Sequence, residues 1–142
     1  MRSRLLLTRS TNRERPFQVS LDVSLEEGSP GTRETVVTVP RGHLLIVEFV
    51  SASIEVPAGQ FLTMSIDINH AGRNMPFVFH LLDRQSHSPA PGEARDVAGV
   101  NRLVRIYAES GDRVDVATVR VPVTGTGGGT INVVGTLRRT GR

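Results

Sequence analysis

The 142-residue chain has no cysteine and no tryptophan, and Tyr107 is its single tyrosine. The lack of cysteine excludes disulfide bonds, thiolate metal ligands and cysteine nucleophiles, and it leaves the redox compartment undecided. Because aromatic residues make up only 4% of the chain, the core has to be built from Val, Leu and Ile. The length suits one domain that buries its own core.

Long apolar runs are also missing. No stretch approaches the roughly 18 apolar residues of a transmembrane helix, so no membrane span is expected. The N-terminus has the charged start of a signal peptide, but its apolar run is only Leu5-Leu6-Leu7, where about 7–15 residues are needed. The localisation stays open, because a secreted or cell-surface domain whose leader has been replaced would begin in the same way.

Lysine is absent, so all 17 basic residues are arginine, and their positions are uneven. Residues 1–15 are expected to form a disordered basic arm, 16–138 the folded domain, and 139–142 a short basic tail. The body between the two ends carries nine arginines against thirteen acidic residues. This balance argues against a basic groove across the domain. The arm contains Arg2, Arg4, Arg9, Arg13 and Arg15.

The pattern of apolar residues predicts strands throughout. Apolar and polar residues alternate without error from Phe17 to Leu25, and the alternation returns within Phe61–Asn69, which indicates half-buried strands. The apolar segment Pro40–Pro57 predicts a long central strand. With further strands at 35–39, 77–82, 100–108, 114–123 and 131–137, and no 3.6-residue period, the chain is predicted to be all-β. We expect an antiparallel β-sandwich, jelly-roll-like, of about eight strands.

Three irregularities are predicted. The small residues Ser51-Ala52-Ser53 suggest a bend or bulge in the central strand, and a change of apolar parity at Ala117-Thr118 suggests a second bulge. The polar stretch Arg84–Gly99 is longer than most connections, which predicts a functional or mobile loop.

No catalytic or metal-binding pattern is found. The four histidines match no zinc spacing and lack the His-x-His pair of a cupin metal site. There is no Gly-x-Ser-x-Gly elbow, and Glu48 and Glu55 are interpreted as solvent-facing rather than as a glycosidase pair. The glycine-rich segment 125–129 lacks the Gly-Lys-Ser/Thr ending of a phosphate loop. We therefore expect no catalytic residues, no cofactor and no metal, and a protein that is not an enzyme.

Self-association is the main functional prediction. Segments 44–50 and 77–82 are apolar on both faces, so they present more apolar surface than a single sheet interface covers. The sequence predicts a non-catalytic binding or structural module that forms a homo-oligomer.

Two alternatives stay open. A lectin-like module would bind a glycan with Tyr107 and the loop residues His70, Arg73 and Asn74. A coat-type protein would bind nucleic acid through its arginine-rich arm in a salt-dependent way.

Residues 39–60 and 104–116 carry a resemblance. With Val-Pro-x-Gly, a Glu-containing aliphatic strand and a later Arg-Ile-Tyr-Ala, they resemble small bacterial, mostly exported β-sandwich proteins with no assigned activity. The turn Gly111-Asp112 before a final strand is similar to the end of jelly rolls of the complement C1q and tumour-necrosis-factor type. That second resemblance implies a trimer.

Overall fold

The structure is a computed structural model that describes residues 3–6, as backbone only, and 13–140. Ten strands form in this part of the chain, and every pairing between them is antiparallel. Across these residues, no helix is long and apolar enough to cross a membrane. The strands are β1 (Ser3–Leu6), β2 (Glu14–Leu25), β3 (Gly31–Thr38), β4 (His43–Pro57), β5 (Phe61–His70), β6 (Arg73–His80), β7 (Asp83–Ala90), β8 (Glu93–Ala108), β9 (Arg113–Val121) and β10 (Gly127–Arg139).

The strands make two sheets with jelly-roll connectivity. A six-stranded sheet has the order β1-β2-β10-β4-β8-β7, and a four-stranded sheet has the order β3-β9-β5-β6. Early strands pair with late ones, since β2 lies beside β10 and β3 beside β9, which is how a jelly roll closes two sheets over one core. The predicted fold class is confirmed. Strands β1 and β7 are additional to the eight predicted.

The core is aliphatic, as the composition requires. Alternate residues of both sheets point inward and are buried, and Phe17 is the aromatic residue among the buried hydrophobic side chains of the described chain. The strand β2 shows the pattern most clearly, because Phe17, Val19, Leu21, Val23 and Leu25 are all buried.

The bulge in β4 lies earlier than predicted. Its register against β10 shifts at Glu48, which has no partner in the pairing, and Ser51-Ala52-Ser53 continue the regular ladder. Gly135 faces this bulge, where a Cβ atom would lie 2.0 Å from the backbone oxygen of Ile46. Only glycine allows so close an approach of the two strands.

The predicted bulge at Ala117-Thr118 is wrong. The pairing of β9 with β5 runs without a shift from Phe61 opposite Val121 to Asn69 opposite Arg113. The change of parity in the sequence arises instead because Val119 and Val121 point outward on this sheet and are exposed.

The predicted loop at Arg84–Gly99 is also wrong. It forms most of β7 and the first part of β8, joined at the tight turn Pro91-Gly92, where Gly92 has a φ of 78°. Every residue of β7 is exposed, so this edge strand shows no alternation of apolar and polar residues.

The predicted arm is partly strand. Residues 3–6 pair with residues 18–21 of β2, and Glu14 and Arg15 begin β2 itself. The arm residues Arg2 and Arg9 lie outside the described residues, whereas Arg4 is described in its backbone and Arg13 in full. At the other end β10 continues to Arg139, one residue beyond the predicted domain boundary.

Candidate interaction surfaces

The outer face of the six-stranded sheet is polar in its middle, although Leu103 and Tyr107 of β8 are also exposed on this sheet. The hydroxyl of Ser20 donates to Asn132 Oδ1 at 2.6 Å, and Asn132 Nδ2 donates to Ser51 Oγ at 3.4 Å. The three residues lie side by side because Asn132 of β10 is paired with Ser20 of β2 and Ser51 of β4. Such a row of hydroxyl and amide groups suits contact with water.

The outer face of the four-stranded sheet is apolar over half its length. Its exposed hydrophobic residues are Phe61 (66% exposed), Val78 (55%), Val119 (50%) and Val121 (63%). Together with Ala117 they form a surface that we call the apolar face. Residues of these types are normally buried, and their clustering on one side marks an interaction surface.

The other half of this outer face carries an ionic cluster. Asp67 and Asp115 lie directly opposite each other on β5 and β9, and both are buried. Arg33 of β3 bridges them, with Nη1 at 2.6 Å from Asp67 Oδ2 and Nη2 at 2.8 Å from Asp115 Oδ2. Like charges directly opposite each other are destabilising, so the arginine is needed to hold the pair.

The two carboxylates also change the pKa of Arg33. The hydrogen bond to Asp67 raises the pKa of Arg33 above its ordinary value, and the bond to Asp115 adds to this against the opposing effect of burial. Thr35 donates a further hydrogen bond to Asp115 Oδ1 at 2.7 Å, whereas Asp67 Oδ1 has no partner among the described residues.

The edge strand β6 exposes apolar side chains on both of its faces. Val78 lies on the outer face, whereas Met75 and Phe77, paired with the inward residues Ile68 and Ile66, lie on the inner face and are 45% and 40% exposed. Along its other side β6 has no paired strand within residues 3–6 and 13–140. Pro76 removes one backbone donor from this free edge, a common protection against indiscriminate strand pairing.

A buried arginine holds the loops at one end of the sandwich. Arg120 is only 1% exposed, and its guanidinium donates to the carbonyl oxygens of Glu26 at 2.7 Å, Ser29 at 2.9 Å and Thr124 at 3.1 Å. The buried amide of Gln60 lies beside it, with Oε1 at 3.4 Å from Nη1. Sequence reasoning missed this group, because Arg120 alternates with Val119, Val121 and Val123 and therefore has the pattern of a solvent-facing residue.

A second cluster ties β7 to the body. Asp96 is buried and accepts hydrogen bonds from the backbone N–H of Gly59 at 2.9 Å, from the Ser86 hydroxyl at 2.7 Å and from Arg84 at 3.1 Å. The bond from Gly59 lowers the pKa of Asp96 most, followed by that from Ser86, and burial opposes both.

The residues predicted for a glycan site are not all brought together. His70, Arg73 and Asn74 lie at the β5–β6 hairpin of the four-stranded sheet. Tyr107 lies on β8 in the other sheet, where its hydroxyl accepts a hydrogen bond from Arg105 Nε at 2.7 Å.

His70 has another partner. Its Nδ1 lies 2.6 Å from Asp112 Oδ1, and this hydrogen bond raises the pKa of His70. In the described part of the chain, no three His, Asp or Glu residues are grouped to hold a metal ion.

Comparisons with known proteins are sparse. No protein-family model and no curated protein matches the chain. Among solved structures, the core of Drosophila NLP, a protein that forms a pentamer and binds histones, is similar over 87% of this chain and 99% of that one. The two chains are 16% identical, and their TM-score is 0.32. A likeness at this level says nothing about what the present chain binds.

Proposed function

We propose that this chain is a non-catalytic structural or binding module that assembles with further copies of itself through the apolar face. The supporting observation is the cluster of exposed apolar side chains on the outer face of the four-stranded sheet. Phe61, Val78, Val119 and Val121 are all exposed there, whereas the middle of the other outer face carries a row of Ser and Asn side chains. Burying apolar surface stabilises an interface by about 25 cal/mol per Å².

The ionic cluster on the same outer face favours a second copy as the occupant. Arg33 and Arg113 lie against Asp67 and Asp115, so two cations meet two carboxylates and the cluster is neutral. A neutral cluster can meet its own copy without like-charge repulsion, which a self-complementary interface requires.

Paired substitutions test this proposal. The double variant Phe61→Ser, Val121→Thr is expected to lower the molar mass measured by light scattering, while its circular dichroism stays that of the wild type. The matched control is Leu103→Ser, which removes an apolar side chain that is 87% exposed on the other sheet. The proposal is abandoned if both variants keep the wild-type mass, or if the control dissociates as well.

The alternatives have less support. A trimer is implied only by the resemblance to C1q-type and tumour-necrosis-factor-type jelly rolls, and it stays a prediction. The lectin-like alternative has less support because Tyr107, the aromatic residue predicted to stack on a sugar, and His70 belong to different sheets.

A further inference from the structure

Five segments of the chain meet at one end of the sandwich. They are residues 13–15, 39–43, 70–73, 109–112 and 138–140, and we call them the basic rim. Backbone hydrogen bonds of 2.8 Å join Arg139 to Arg13 and Thr140 to Gly42. Gly111 N donates to Val39 O at 2.9 Å, and the bond between His70 and Asp112 attaches the fifth segment.

The rim carries an excess of positive charge. It contains six exposed arginines against three carboxylates, Glu14, Glu109 and Asp112. Of these acids, Glu14 lies 2.8 Å from Arg138, and the other two lie beside His70. The arginines are Arg13, Arg15, Arg41, Arg73, Arg138 and Arg139.

Most of this charge is not neutralised. Within the described residues, no carboxylate lies within 4.0 Å of five of these arginines, namely Arg13, Arg15, Arg41, Arg73 and Arg139. The opposite end of the sandwich carries the reverse sign, with Glu26, Glu27 and Glu93 exposed in its loops and at the start of β8. The molecule therefore has a basic end and an acidic end, although its body is mildly acidic in total.

We propose that the basic rim binds the phosphodiester backbone of a nucleic acid, independently of base sequence. The guanidinium group matches a phosphate in a bidentate geometry and keeps its charge at any physiological pH. Neighbouring strands lie about 4.8 Å apart, so arginines at the ends of β2 and β10 and in the turn before β4 form a closely spaced row. A chain of phosphates offers a matching row of charges, in a duplex one for about every 3.4 Å of helix axis on each strand.

The composition of the rim favours this partner over a folded acidic protein or a membrane. The exposed large hydrophobic residues of the described chain all lie outside the five segments of the rim. A protein interface would need an apolar centre, and insertion into a membrane would need an apolar face. The rim also lacks a tryptophan, tyrosine or phenylalanine to stack on bases, so it is suited to phosphate contacts without base readout.

The test is anisotropy of a fluorescein-labelled DNA strand of about 20 nucleotides, titrated with the full chain between about 50 and 300 mM salt. For five free arginines, the logarithm of the association constant should fall against log salt with a slope of about −3.5, at about 0.7 per phosphate. The double variant Arg41→Gln, Arg139→Gln should reduce the magnitude of that slope by about 1.4. Its control, Arg102→Gln, Arg105→Gln, removes the same charge from the second half of β8, outside the rim, and should bind as the wild type does.

Three results would overturn the proposal: no saturable binding at the lowest salt, an equal loss in both double variants, or competition by polyglutamate as strong as by unlabelled DNA. The last would identify an acidic peptide as the better partner. Both double variants change exposed side chains only, and equal melting temperatures would confirm that both are folded.

Discussion

Phe61 and Val121 lie directly opposite each other across β5 and β9, and each is about two thirds exposed. They face outward because their sequence neighbours Leu62 and Arg120 occupy the inward positions and are buried. The two side chains can shield only part of each other, so a second chain could bury the remainder. This pair lies at one end of the surface through which we propose that the protein assembles.

The absence of cysteine allows the interface to be mapped by labelling. Thr63 is partly buried at an outward position, opposite Val119 and between Phe61 and Ser65. In the assembled protein Thr63→Cys should react with a maleimide several times more slowly than Ser51→Cys, a partly buried control on the other outer face. Equal rates at a concentration where the chain is associated would contradict the proposed interface.

Replacing Arg120 should destabilise the fold strongly. Arg120→Met leaves the buried carbonyl oxygens of Glu26, Ser29 and Thr124 without their donors. Unpaired buried polar groups are costly, and we expect the free energy of unfolding to fall by about 3 kcal/mol in denaturant titrations. The exposed control Arg102→Met should stay within about 0.5 kcal/mol, and a similar effect at both positions would refute the role assigned to Arg120.

The contact between His70 and Asp112 predicts a pH effect. Because the pKa of His70 is raised by its hydrogen bond to Asp112, the protonated histidine stabilises the folded state fully below the ordinary value of about 6.5. That contribution is lost as the pH rises through the raised pKa. A nuclear magnetic resonance titration of the His70 ring should show the raised pKa, and Asp112→Asn should lower it. An unchanged titration in the variant would rule out the contact.

Asp96 should hold the β7 edge in place. Its pKa is lowered by hydrogen bonds from Gly59 and Ser86, so its contribution is present above the ordinary value of about 3.9 and is lost as the pH falls through the lowered pKa. At neutral pH, Asp96→Ala should speed hydrogen exchange of the β7 amides. Asp83→Ala, on the exposed start of the same strand, is the control, and equal exchange in the two variants would contradict the account.

The strands that could be predicted are those with an apolar inner face and a mostly polar outer face. Phe17–Leu25 and Phe61–Asn69 show the period of two because the inward side chains of these segments are apolar and most of the outward ones are polar. The bounds of β6 were less accurate, since it begins at Arg73 and its apolar side chains are mostly exposed.

The strand β9 shows why the candidate interface could not be predicted from the pattern alone. Thr118 and Arg120 point inward and are buried, while Val119 and Val121 point outward and are exposed. A bulge and an inverted distribution of polar residues give the same change of parity in sequence. The pairing partners decide between them, and these depend on long-range contacts.

The residues predicted to form a glycan site lie on two different sheets, which the sequence pattern could not show for a similar reason. Strand order places Tyr107 and His70 in different sheets, and nothing local to either residue encodes that order. The arginine-rich ends illustrate the opposite case. Their charge is evident in the sequence, but only the pairing of Arg138 with Glu14 reveals that the two ends meet.

The most direct measurement of the central claim is the molar mass of the unmodified chain in solution, by size exclusion with light scattering at low and high salt and at several concentrations. The account predicts a mass that is two or more times 15.4 kDa. This mass should persist at high salt, because burial of the apolar face is not screened by ions. A mass of 15.4 kDa at every concentration and salt would contradict it.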